Sequence, residues 1–106
     1  MIASVTVTYQ PDLIALRQQL VSLQWQVQKM FVVDNGSTAP LRQELTALCL
    51  EYDADLEVLP YNSGIAHAQN IGIGAALAQN ASLILLMDQD SESVAGMVDT
   101  LAHALN

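Results

Sequence analysis

Four short runs of strand-forming residues, each followed by a segment with helical spacing, constrain this chain more than any other feature of its sequence. Ile2 to Tyr9 is rich in β-branched residues and meets Gln10-Pro11-Asp12, where proline disfavours further pairing, so a first strand ends at Thr8 or Tyr9. Leu13, Leu16, Leu20 and Leu23 then recur at three and four, with Pro11 suited to a first helical turn and Asp12 to its positive end. Phe31-Val32-Val33 predicts a strand covered on both faces, closed by the turn residues Asp34-Asn35-Gly36-Ser37. Thr38-Ala39-Pro40 opens a second helix with Leu41, Leu45 and Leu48 inward and Tyr52 as a further candidate. Leu56 to Leu59 reads as a short third strand.

A loop at Tyr61-Asn62-Ser63-Gly64 leads into a third helix, Ile65 to Gln79. Ile65, Ala68, Gly72 and Ala75 or Ala76 share its inner face and are mostly small enough for close approach to a sheet. Ser82 to Met87 is the strongest buried-strand signal, and it runs directly into Asp88-Gln89-Asp90-Ser91. Ser93 to Leu105 predicts a fourth helix with Val94, Met97, Val98 and Leu101 inward. Strand and helix alternating in this way predict an α/β fold, a three-layer α/β/α sandwich on a mostly parallel four-stranded sheet, with residues 1–106 forming one domain. In such sheets ligands bind beyond the carboxyl ends of the strands, where the strand order reverses.

Composition narrows the partners. Apolar residues make up 52% of the chain and charged ones 13%, which is the composition of a folded domain. Eleven acidic residues against three basic ones, Arg17, Lys29 and Arg42, give a charge of −8, which argues against nucleic acid. Cys49 has no partner thiol and lies in an apolar helical segment, so a buried structural thiol is expected. His67 and His103 are far apart in sequence and no Cys/His cluster has zinc spacing, so both are read as structural or surface residues. The amino terminus lacks a basic region followed by a cleavable apolar core, and no apolar run approaches the roughly 20 residues of a membrane span. A cytoplasmic protein is expected, with attachment to the inner face of the membrane through a further part of a longer chain as the alternative.

Three of the four strands end in polar residues that a core does not require: Thr8-Tyr9, Asp34 to Ser37, and Asp88-Gln89-Asp90. On parallel strands all three groups lie along one edge, with Asn62 to Asn70 beside them. Asp88 and Asp90, two residues apart, read either as a solvated turn or as oxygen ligands for a hard divalent cation shared with a phosphate. Asp34 reads either as a turn cap for Ser37 or Thr38, or as an acceptor for a base or ribose. Tyr9 either stacks on a base or packs. Walker and Rossmann dinucleotide motifs are absent, as is a Gly-Xaa-Ser-Xaa-Gly nucleophile turn.

Val5-Thr6-Val7-Thr8-Tyr9, Val32-Val33-Asp34-Asn35-Gly36-Ser37, Asn62 to Gly72 and Leu85-Leu86-Met87-Asp88-Gln89-Asp90-Ser91, in that order, resemble the family-two inverting glycosyltransferases. The Asp-Gln-Asp-Ser form and the Thr-Tyr-Xaa-Pro-Asp opening look most like the rhamnosyltransferase branch. The resemblance implies the Rossmann-like, nucleotide-sugar-binding half of a GT-A fold. It implies Thr8, Tyr9, Asp34, Asn70 and Asp88 around the donor, Asp90 as the metal ligand and Mg2+ or Mn2+ as the cation. It also implies a nucleoside-diphosphate sugar, dTDP-L-rhamnose for the rhamnosyltransferase branch, passed to a polysaccharide or glycolipid acceptor in cell-surface polysaccharide biosynthesis. Family members continue for well over another hundred residues with the acceptor site and the general base, so no catalytic base is expected in residues 1–106. Self-association through the surface that the acceptor half would cover is a further expectation. Gln10 stands where asparagine is common in the family. Two rival readings are a phosphohydrolase, whose nucleophile motif would sit on the first strand rather than the last, and a non-catalytic folding or interaction module.

Overall fold

A computed structural model describes residues 1–90. The elements run β1 (Ile2–Thr8), α1 (Leu13–Leu23), β2 (Lys29–Asp34), α2 (Ala39–Glu51), β3 (Asp55–Val58), α3 (Ile65–Ala78) and β4 (Leu83–Asp88). The expected fourth helix, and His103 within it, lie outside the described residues. All strand pairs are parallel and the order is β3-β2-β1-β4. The chain steps outward from β1 to β3, then crosses back to place β4 on the other side of β1. The order therefore reverses between β1 and β4. In register, Thr8 stands beside Asp34 and Val7 beside Asp88, so the polar strand ends lie along one edge as expected.

The strands alternate their side chains between two unlike faces. One face is built from large aliphatics: Leu16, Leu20 and Leu23 of α1 and Leu45, Leu48 and Cys49 of α2 pack with Met30 and Val32. The other is covered by α3, whose Ala68, Gly72 and Ala76 are buried. A Cβ on Gly72 would lie 2.3 Å from Val5 Cγ1 and 3.2 Å from Val33 Cγ2, so glycine there sets how closely α3 approaches the sheet. The sequence left Ala75 or Ala76 open on this stripe; Ala76 is the buried one and Ala75 is exposed. Ile65 departs from the stripe, being 56% exposed at the start of α3.

Two further expectations are corrected. Pro11 precedes α1 instead of entering its first turn, because Asp12 is the cap: its carboxylate accepts from Ile14 N (2.9 Å) and Ala15 N (3.3 Å). β4, the strongest buried-strand signal, is only partly buried, with Leu86 50% exposed. Among the described strands it pairs with β1 alone. An apolar run reports the surroundings its side chains suit; it does not reveal which strands flank it. α2 and α3 are followed by Asp53 (φ 55°) and Asn80 (φ 69°), residue types that enter the left-handed region at little cost. No helix among the described residues is long and apolar enough to cross a membrane.

Candidate functional site

The carboxyl ends of β1 and β4 open a cleft of about 490 Å3. Thr8, Tyr9, Asn35, Asn62, Asp88, Gln89 and Asp90 line it, with Val7 and Ile65 as its apolar part. A larger hollow of about 700 Å3 runs along β3 between α2 and α3, lined by residues such as Phe31, Leu56, Val58 and Ile71. The strand-end cleft is the better candidate. It gathers two carboxylates, three amides and a phenol at the reversal of strand order, whereas the larger hollow follows the outer strand and is mainly apolar.

Each part of the cleft is held by a local device. Asp34 is fully buried, which for a carboxylate demands hydrogen-bond donors. Thr8 Oγ1 donates to its Oδ1 at 2.8 Å, Ser37 Oγ to the same oxygen at 2.6 Å, and Ser37 N to Oδ2 at 2.9 Å. Ser37 Oγ in turn accepts from Gln10 N (2.8 Å), while Gln10 Oε1 accepts from Thr38 N (2.9 Å). Gln10 has φ 47°, a conformation that suits asparagine better, and its side chain spans to the start of α2. The substitution is thus absorbed by a structural contact.

The turn after Asp34 needs glycine at position 36 for two reasons. Its φ is 89°, and a Cβ there would lie 2.6 Å from the Tyr61 backbone. That close approach lays the Tyr61 to Gly64 loop against the end of β2. Asn35 fastens it: its N donates to Thr8 O (2.7 Å) and its Oδ1 accepts from Ser63 N (2.9 Å). Asn62 Oδ1 accepts from Gly64 N (3.0 Å), an Asx turn leading into α3.

Of the residues singled out from sequence, Thr8, Tyr9, Asp88 and Asp90 come together in the cleft. Asp34 and Asn70 are not among its lining residues. Asp34 makes the bonds to Ser37 that the first of its two sequence readings describes. Asn70 is exposed on α3. It lies two residues from both Ala68 and Gly72, and about 100° per residue turns it away from the face they share. Asn35, Asn62 and Gln89 line the cleft without having been singled out individually. Each sits inside a quoted motif, and the signal for them was a polar amide at a strand end or a loop tip.

Asp88 and Asp90 are both exposed, and Tyr9 is 47% exposed at the cleft. No group of three or more His, Cys, Asp or Glu residues among the described residues could cage a metal. Two carboxylates on an open cleft nonetheless suit Mg2+ or Mn2+, which commonly take one or two protein carboxylates and complete their shell with phosphate oxygens and water. The donor set fits a cation that arrives with a phosphate ligand. Cys49, by contrast, is buried, and burial, with Asp34's negative charge as a lesser cause, pushes its thiol up to about 11. It is an inert core thiol at neutral pH. His67 is exposed on α3.

Comparison with known proteins bears on this geometry. The family described as glycosyl transferase family 2 matches residues 9–106. The dTDP-rhamnosyl transferase RfbF of Shigella flexneri is 39% identical over 90 residues, covering 85% of this chain and 29% of that protein. Among solved structures, S. aureus TarS superposes with a TM-score of 0.73 at 21% identity, over 95% of this chain and 19% of that one. The mannosyltransferase PcManGT from Pyrobaculum calidifontis, in complex with GDP-Man and Mn2+, gives 0.67 at 22% identity, over 98% of this chain and 31% of that one. At these identities the two structures speak for a shared GT-A fold. The chain spans less than a third of the length of each of these relatives.

Proposed function

The chain belongs to glycosyl transferase family 2, and from that premise we propose that its strand-end cleft holds the donor of a sugar transfer, a nucleoside-diphosphate sugar bound with Mg2+ or Mn2+. The observation behind this reading is the meeting of Asp88 and Asp90 with Thr8 and Tyr9 at the reversal of strand order. dTDP-L-rhamnose is the donor we propose, on the strength of the likeness to RfbF. In this reading Tyr9 offers a ring face to the base, and Asn35 and Asn62 offer amides to the nucleoside. Asp88 approaches ribose and diphosphate, and Asp90 is the metal ligand. The cation would neutralise the charge that gathers on the diphosphate as the sugar leaves.

An inverting transfer also needs a base for the acceptor hydroxyl. We assign none among residues 1–90: Asp34 is buried and committed to three donors, and Asp88 and Asp90 face the diphosphate. The described residues are therefore expected to bind nucleotide without themselves supplying that base. Thermal unfolding with dTDP or UDP, with and without Mn2+, tests the reading. A ligand at about 100 times its Kd stabilises the native state by ~2.7 kcal/mol, so the melting temperature must rise with dTDP and Mn2+. No rise at millimolar nucleotide would overturn the donor reading and favour a non-catalytic interaction module.

A further inference from the structure

We propose that Gln89 is a positioning residue: its side-chain amide clamps the end of β1 to the acidic turn after β4 and so sets where Asp88 and Asp90 present their carboxylates. The inference rests on the donor reading for its consequence, and on geometry for its existence. The β1–β4 register ends at Val7 beside Asp88, and past that point the two strands share no ladder. There the Gln89 side chain takes over. Its Oε1 accepts from Tyr9 N at 2.7 Å and its Nε2 donates to Tyr9 O at 3.2 Å. One planar amide thus occupies both backbone groups of Tyr9, as a further rung of the ladder would.

The turn is held from the other side of the same residues. Gln19, on α1 and fully buried, accepts from Thr6 Oγ1 at 2.7 Å and donates from Nε2 to the Asp88 carbonyl. The Asp88 carbonyl and the Gln89 side chain are therefore both fixed, and the two carboxylates flank a pinned residue. Two like charges on an exposed turn repel and would spread in the absence of a cation. Holding them in place beforehand removes an ordering cost from binding.

The chemistry explains why an amide stands here. Glutamine offers one acceptor and two donors from a rigid plane. Glutamate would keep the acceptor for Tyr9 N, lose the donor for Tyr9 O and add a third negative charge beside Asp88 and Asp90. Methionine keeps much of the length and volume and removes both bonds.

Gln89→Met and Gln89→Glu, made in the 106-residue chain, test the clamp in two independent ways. Amide hydrogen exchange without ligand reads it directly: Tyr9 N–H is expected to be protected in the wild type, to lose at least tenfold in protection in Gln89→Met, and to keep most of it in Gln89→Glu. Calorimetric titration with dTDP, with and without Mn2+, reads its consequence. The enhancement of dTDP affinity by Mn2+ is expected to fall about tenfold in Gln89→Met while the melting temperature of the free protein stays close to wild type. A role in folding alone would move the melting temperature and leave the Mn2+ enhancement intact, and that result overturns the proposal. So does equal exchange at Tyr9 in wild type and Gln89→Met. If no form of the protein binds dTDP, the donor reading fails, and exchange at Tyr9 by itself upholds or overturns the clamp.

Discussion

Asp34 at the end of β2 and the Asp88–Asp90 pair at the end of β4 start from the same local pattern, an acidic residue leaving an apolar strand for a polar turn, and finish with opposite roles. Asp34 has no exposed surface and three donors within 2.9 Å. Asp88 and Asp90 are exposed and face the cleft. What separates them is their neighbours. Thr8 stands beside Asp34 in register on β1 and Ser37 follows three residues on, so hydroxyls converge on one carboxylate. Past Val7 and Asp88 the β1–β4 ladder stops, and those carboxylates project toward open space. A buried acid built into the frame and an exposed pair open to the cleft are two outcomes of one motif.

The hardest test of this contrast removes the buried member. Asp34→Ala leaves the Thr8 and Ser37 hydroxyls and the Ser37 N–H without their acceptor. Buried polar groups deprived of partners cost about 1–3 kcal/mol each before relaxation, so a loss of ~3–4 kcal/mol is expected in urea unfolding. A change below ~1 kcal/mol would break the comparison by showing that Asp34 is not structural.

A second test uses Cys49, which feels Asp34's charge from within the core. Burial, and to a lesser extent that charge, raises its thiol from 9.0 to about 11. The folded state therefore prefers the protonated thiol more than the unfolded chain does. This preference adds stability that is fully present below about pH 9 and is lost as the pH rises through about 11. At ~1.4 kcal/mol per unit the loss is on the order of 2–3 kcal/mol. Unfolding free energies from pH 8 to pH 11 should show this fall, and Cys49→Ala should flatten it. A slope unchanged by that substitution would remove Cys49 as its source.

A third test moves to the turn that Asp34 closes. Gly36→Ala forces an L side chain into φ 89° and drives its Cβ to 2.6 Å from the Tyr61 backbone. A loss of about 2 kcal/mol is expected in urea unfolding. It should be accompanied by weaker nucleotide binding, since the Tyr61 to Gly64 loop carries Asn62 to the cleft. Equal stability for Gly36→Ala and wild type would mean that the turn opens at no cost.

The contrast also marks how far the sequence alone could be read. Strand and helix alternation, the small-residue face of α3 and the shared edge of Thr8, Asp34 and Asp88 were legible, because each follows from periodicity or from parallel pairing. Which polar residue turns inward was not, since it depends on partners that topology supplies: Thr8 reaches Asp34 across 26 residues. Gln89 was legible only as the middle of an acidic motif, and its bonds to Tyr9 join residues 80 apart in sequence. At Asn70 motif and periodicity diverge: the motif implied the donor pocket, and the helical phase fixed by Ala68 and Gly72 puts the residue on the outer side of α3.

The smallest expected change in stability belongs to the exposed pair, and it sharpens the comparison most. Asp90→Asn alters an exposed side chain on a turn, so its unfolding free energy should stay within ~0.5 kcal/mol of wild type. It should nonetheless abolish the gain in dTDP affinity on adding Mn2+, because an amide oxygen is a far weaker partner for a hard cation than a carboxylate. Asp88→Asn should weaken dTDP with and without the metal if Asp88 approaches ribose as well as diphosphate. Asp34→Asn separates the roles from the other side: it keeps one carbonyl acceptor, loses part of the stability, and should leave the ratio of affinities with and without Mn2+ unchanged. A loss of that ratio in Asp34→Asn, with Asp90→Asn retaining it, would reverse the assignment of frame and ligand site.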